Sequence, residues 1–150
     1  MKAVDKIFAE KIYIFLGALF ITSLVVSNII FQKFFYWYPI NIMLFDQPLF
    51  ELSVGLLPYP LTFLITDLIS EIYGKRRANL IVIAGIFASF FSAGILFLGD
   101  ILPAVEYSPI NDALYKEVFS LSPIAAVASM IAYLIAQLVD IRIYHFWKKL

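Results

Sequence analysis

Two carboxylates, Asp67 and Glu71, stand one helical turn apart in a stretch otherwise apolar enough to enter a bilayer, YPLTFLITDLISEIYGKRR, Tyr59 to Arg77. At about 100° per residue the stretch divides into two halves. Tyr59, Thr62, Phe63, Thr66, Asp67, Ser70, Glu71 and Gly74 fall on one half, and Leu61, Leu64, Ile65, Leu68, Ile69 and Ile72 on the other. An ionised carboxylate at bilayer depth costs at least a few kcal/mol, so it ordinarily faces an interior and has a task. Three tasks fit Asp67: accepting hydrogen bonds from a polar solute, carrying a coupling proton, or bridging to a basic residue on another helix. Eight residues separate it from Lys75, about 12 Å along a helix, which is close to the midplane of a core about 30 Å thick. Glu71 lies nearer the end, within i+4 reach of Lys75, so it has a partner that Asp67 lacks.

A second polar stripe lies near the C-terminus. Ser129, Tyr133, Gln137, Asp140 and Tyr144 gather within a quarter turn on a helical wheel, flanked by Ala125, Ala132 and Ala136. Asp140 is near the helix end, where a salt bridge or water contact with Arg142 or His145 would satisfy it; Gln137 is deeper. Asn28 and Lys33, at the far end of the first apolar run, are partners to consider for Asp67. Interhelical hydrogen bonding explains Asn28 equally well, and snorkelling explains Lys33. The chain has a single histidine and no cysteine. Disulfides, cysteine-ligated metals and thiol nucleophiles are therefore excluded. No glycine-rich phosphate loop is present, and no spacing demands a catalytic dyad. Neither an enzyme nor a metal or cofactor is expected.

These residues need membrane helices to position them. The sequence is 63% hydrophobic with only 15% charged residues, and its mean hydropathy is +0.92. A soluble domain is nearer 45–50% apolar, so the excess calls for lipid as a partner. Zero net charge offers no field for nucleic acid. Four segments reach the roughly 20 residues of a span: about Ile12 to Phe31, Leu49 to Tyr73, Ala78 to Leu98 and Pro123 to Trp147. The first run is too long for a signal peptide and lacks a cleavage site. Pro58 and Pro60 either kink the second span or break it into a short apolar entry, Leu49–Leu57, and a new helix near Pro60, as in many transporter sites. Ala84, Gly85, Ala88, Ser89, Ser92 and Gly94 make the third span a close-packing one. The loop after it holds four of the eleven acidic residues and is expected outside as a partly ordered cap. If the spans alternate, Lys2, Lys6 and Lys11, then Lys75 to Arg77, then Arg142, Lys148 and Lys149 share one side. The positive-inside rule makes that side, and both termini, cytoplasmic. The fold expected is an all-α polytopic bundle forming one integral-membrane domain over residues 1–150.

Three runs resemble one family. SNIIFQK (Ser27–Lys33), LPYPLTFLITDLISEIYGKRRA (Leu57–Ala78) and ASMIAYLIAQLVDIRIYHFWKKL (Ala128–Leu150) look like the queuosine-precursor transporter family, also called vitamin-uptake-transporter-like. The resemblance covers nearly all of the chain. It implies a bacterial inner-membrane importer of 7-cyano-7-deazaguanine or a related deazapurine destined for tRNA modification. A guanine-like edge offers a ring N–H and an exocyclic amine side by side, which one carboxylate accepts together. Asp67 or Glu71 would supply it, Tyr59, Phe63 or Tyr133 would stack on the ring, and Gln137 would read another edge. Asn28, Thr62, Thr66, Ser70 and Asp140 complete the expected solute-binding set. The family continues past the position of Leu150 into two further helices, so the chain is expected to be a truncated member or to need a completing polypeptide or a second copy. Two other readings remain: a substrate-binding membrane subunit with separate energising partners, and a helical assembly protein whose acids only join helices.

Overall fold

The computed structural model describes residues 3–36, 43–44, 47–48 and 51–121, with residues 123–124, 127–128, 131–132 and 135–136. Three helices carry the fold. Helix α1 runs Ala3–Ile30, α2 Tyr59–Tyr73 and α3 Lys75–Ile101. At 1.5 Å per residue they measure about 42, 22 and 40 Å. Helices α1 and α3 are each long and apolar enough to cross a membrane. A short helix, α4, occupies Asp112–Phe119. The fourth expected span lies mostly outside the described residues, and the described pairs within it are helical.

Extended segments join α1 to α2, a departure from the all-α expectation. Strands β1 (Phe34–Tyr36) and β4 (Glu51–Ser53) pair antiparallel, with Phe34 opposite Ser53. A smaller pair, β2 (Met43–Leu44) and β3 (Gln47–Pro48), lies between them. Aromatic residues at Phe34 to Tyr36 suit a pleated surface as well as a membrane interface.

The second span is broken. After β4 the chain makes a 3-10 turn, Val54–Leu56, and α2 begins at Tyr59. Pro58 caps the helix and Pro60 falls in its first turn, where the missing N–H has no intrahelical partner to lose. The turn is seated on α1. Gly55 is buried there, the Val54 N–H donates to Lys33 O at 2.7 Å, and the Ser53 hydroxyl donates to Phe31 O. The non-helical backbone of the turn is covered and bonded by protein.

Gly74 stops the helix. Its φ of 84° is a left-handed value that glycine adopts freely, and α3 starts at the next residue. Lys75 therefore belongs to α3, and its i+4 relation to Glu71 is lost; among the described residues Glu71 forms no ion pair.

The core lies where the three helices meet. Phe20 and Leu24 of α1, Ile65 and Ile69 of α2, and Ala78 and Ile81 of α3 are buried together. Outer faces stay apolar: Phe15, Ile83 and Phe87 are 68%, 66% and 72% exposed. Such surface is stable against lipid, where it would be a liability in water.

The start of α1 is tied to the α2–α3 corner. The Tyr73 hydroxyl donates to Ala9 O at 2.8 Å and the Tyr13 hydroxyl to Arg77 O at 3.2 Å. Arg77 donates to Glu10 at 2.6 Å and lies 5.0 Å from the Tyr13 ring centre. Lys11 and the Lys75–Arg77 cluster thus occupy one end of the bundle, and Lys33 with the 3-10 turn occupies the other.

Candidate functional site

Helix α2 packs against both α1 and α3, which also pack on each other, and its packed face decides where the acids go. That face is Thr62, Ile65, Thr66 and Ile69. The half-wheel division separates Ile65 and Ile69 from Thr62 and Thr66, but in the structure all four share the packed face, the isoleucines 1% and 0% exposed. Both isoleucines outweigh the half-wheel division because they fill the space beside Phe20 and Leu24, where burying a branched side chain contributes about 1.5–3 kcal/mol.

Thr62 and Thr66 are buried beside them and satisfied within their own helix. Thr62 Oγ1 donates to Tyr59 O at 2.7 Å, and Thr66 Oγ1 lies 2.9 Å from Phe63 O and 3.1 Å from Thr62 O. Their hydroxyls are engaged by the backbone, the usual arrangement for threonine inside a helix.

Asp67 and Glu71 stand on the other side. Counting 100° per residue, they lie about 140° and 180° around the helix from Thr62. Both are exposed, as is Phe63, while Tyr59 and Ser70 are half-buried. Neither carboxylate forms an ion pair among the described residues. Lys33 lies at the far end of α1, exposed, with its carbonyl holding Val54, so it does not bridge to Asp67.

The expected set thus separates into two groups. Asn28, Thr62 and Thr66 are buried, whereas Phe63, Asp67 and Glu71 form an open face on α2. Tyr133, Gln137 and Asp140 lie outside the described residues. Among the described residues no group of three or more His, Asp or Glu could hold a metal ion.

A cluster of buried polar atoms was not expected as a group. Among the described residues Ser27 Oγ, Asn28 Nδ2, Gln32 Nε2 and Ser89 Oγ have no hydrogen-bond partner. Asn28 was singled out in the sequence, but Ser89 was read there as a small packing residue. Burial at 2% exposure supports that packing, and the orphaned hydroxyl adds a polar demand. Only the helix pairing of α1 with α3 could have brought these positions together.

Among the described residues the acids stand without a base, and the threonines of α2 are bonded to their own helix. Residues 53–150 match a family described as "Putative vitamin uptake transporter", a match that takes in the 3-10 turn, α2, α3 and α4. No curated protein and no solved structure matches the chain. The two long apolar helices fit a membrane protein. The matched stretch is well over half of the sequence and contains the acid-bearing helix, and on that ground the chain belongs to the vitamin uptake transporter family.

Proposed function

We propose that this protein imports a queuosine precursor, 7-cyano-7-deazaguanine or a related deazapurine, across the bacterial inner membrane by alternating access, with both termini cytoplasmic. One observation carries the reading. Helix α2 is packed on one face between two apolar helices, and it presents Asp67 and Glu71, without an ion-pair partner among the described residues, on the opposite face. A carboxylate at that depth is costly unless it meets protein, water or a solute. A planar ring offering adjacent N–H groups fits it, since two parallel charge-assisted hydrogen bonds form at once. The proposal assigns the stacking wall to Tyr59 and Phe63, and the facing wall to Tyr133, Gln137 and Asp140 of the fourth span. Family membership supports uptake as the class of activity.

The test is rescue. Bacteria unable to make the precursor and lacking their own importer should regain queuosine in tRNA when they express this chain and receive 7-cyano-7-deazaguanine. Asp67→Asn should cut uptake about 10- to 100-fold, the equivalent of a hydrogen bond to a charged group at about 1.5–3 kcal/mol, with unchanged protein in the membrane. Absent rescue by a well-expressed wild type would sink the importer reading. Full uptake by Asp67→Asn would remove Asp67 from the site.

A further inference from the structure

The chain leaves α3 at Ile101 and folds back through α4, Asp112–Phe119. On a wheel of about 100° per residue, Leu114, Val118, Tyr115 and Phe119 follow one another around less than half of this helix. Asp112, Lys116 and Glu117 share the rest with Ala113. One side of the apolar arc meets α3. Tyr115 and Phe119 are half-buried with ring centres 4.9 Å apart, and the Tyr115 hydroxyl donates to Leu96 O at 3.2 Å. Gly99 admits that ring, since a Cβ there would lie 2.9 Å from Tyr115 Cζ. The other side of the arc is open: Leu114 and Val118 are 44% and 42% exposed.

A helix of eight residues is marginal in water on its own, and an open apolar ridge on it is a further liability there. Depth supplies the partner. Leu96 and Gly99, which receive Tyr115, lie about 28 and 33 Å along α3 from Arg77, and a hydrocarbon core is about 30 Å thick. With the Lys75–Arg77 cluster at one surface of the bilayer, α4 is held at the other, where acyl chains give way to headgroups and tyrosine is favoured. The turns of α3 at that level keep Ile95, Leu98 and Ile101 exposed, so the ridge continues an apolar surface already turned to lipid. The start of α4 is bonded for such a setting. Asn111 Oδ1 accepts from the Leu114 N–H at 2.8 Å, and Asp112 Oδ1 from the Ala104 N–H at 2.7 Å. The polar side carries two acids against one lysine, so apolar burial, not attraction to anionic headgroups, holds the ridge in place.

We propose that α4 is an interfacial helix whose Leu114 and Val118 ridge docks into the acyl chains of the bilayer beside the end of α3, with Lys116 and Glu117 on the water side. The helix then anchors that end of the bundle in lipid and is not a solvated cap above it. The inference rests on α3 crossing the membrane and is independent of which solute is carried.

The chain has no cysteine, so single cysteines report without background. Leu114→Cys, Val118→Cys, Lys116→Cys and Glu117→Cys are each given a nitroxide label in the full chain and reconstituted in phosphatidylcholine vesicles. Oxygen, which concentrates in lipid, and a neutral nickel chelate, which stays in water, serve as relaxers. Phe87→Cys, 72% exposed on α3, and Tyr107→Cys, 89% exposed before α4, calibrate lipid and water. Labels at 114 and 118 should lose nickel relaxation as the label at 87 does, while those at 116 and 117 keep it as the label at 107 does. Either ridge site suffices if the other variant fails to fold. Ridge labels relaxed like the one at 107 overturn the proposal. Ridge labels that are immobile and shielded from both relaxers also overturn it, and identify the occupant as protein, the fourth span or a second copy. Loss of nickel relaxation at 116 and 117 as well overturns the interfacial placement, because the whole helix is then immersed.

Discussion

Gly55 and Gly17 are both buried glycines on α1 contacts, and adding one methyl to each should have opposite consequences. A Cβ at Gly55 would lie 2.6 Å from Ser27 O and 2.8 Å from both Cα and Cβ of Phe31. Carbon atoms prefer 3.5–4.0 Å, so the 3-10 turn would have to lift from α1 by roughly 1 Å, against atoms that belong to or adjoin the α1 backbone. Lifting it would also strain the Val54 N–H to Lys33 O bond and the Ser53 hydroxyl bond to Phe31 O. Overpacking of this kind costs about 1–3 kcal/mol, and Gly55→Ala should lower the melting temperature by about 2–12 °C for a chain of this size. At Gly17 the nearest atom to a new Cβ is also 2.6 Å away, but it is Cδ1 of Ile81, the far end of a side chain. A rotamer change relieves it, at a cost of about 0.5–1.5 kcal/mol, partly offset by the helix propensity gained over glycine, about 1 kcal/mol. Fluorescence-detected size-exclusion melting of both variants in one detergent measures the difference. Gly55→Ala melting with wild type, or Gly17→Ala falling as far as Gly55→Ala, would refute the seating of the turn on α1.

Two other perturbations test the ends of the bundle. Tyr73→Phe deletes the hydroxyl that donates to Ala9 O and should cost about 1 kcal/mol; Glu10→Gln breaks an ion pair whose side chains are 42% and 51% exposed and should leave the melting temperature near wild type at physiological salt. Asn111→Ala removes the side chain that caps α4 by accepting from the Leu114 N–H at 2.8 Å, and should cost that helix about 1 kcal/mol, read as faster amide exchange across residues 112–119 with α3 unchanged.

The membrane helices were legible because their signals are local. Length and apolarity marked α1 and α3, although both are longer than expected: the first starts at Ala3 rather than near Ile12, and the third at Lys75 rather than Ala78. Lys75 to Arg77 read as a flank but form the first turn of α3, because Gly74 makes the corner within a single residue. Pro58 and Pro60 marked the break for the same local reason. The strand pair at Phe34–Tyr36 and Glu51–Ser53 was not legible. Its register depends on a partner 17 residues away (Phe35 with Leu52), and nothing in either three-residue run specifies that pairing.

The acids of α2 were legible in the sequence, but the face by which α2 packs on α1 and α3 was not, and the reason bears on how the helix could work. A helical wheel sorts residues by polarity, but a helix wedged between two others is oriented by what fills the gap. On α2 that is Ile65 and Ile69, with Thr62 and Thr66 admitted because their hydroxyls bond to their own helix. Once that face is packed, Asp67 and Glu71 are carried to the opposite side, about 140° and 180° away. They are not then the glue that holds α1, α2 and α3 together: where those helices meet the buried residues are Phe20, Leu24, Ile65, Ile69, Ala78 and Ile81, with the uncharged Ser23, Ser27, Asn28, Thr62, Thr66 and Ser89 buried as well. A pair of carboxylates that the described bundle does not need for its own cohesion is what the proposed solute site on α2 requires, since an acid at bilayer depth must meet protein, water or a solute.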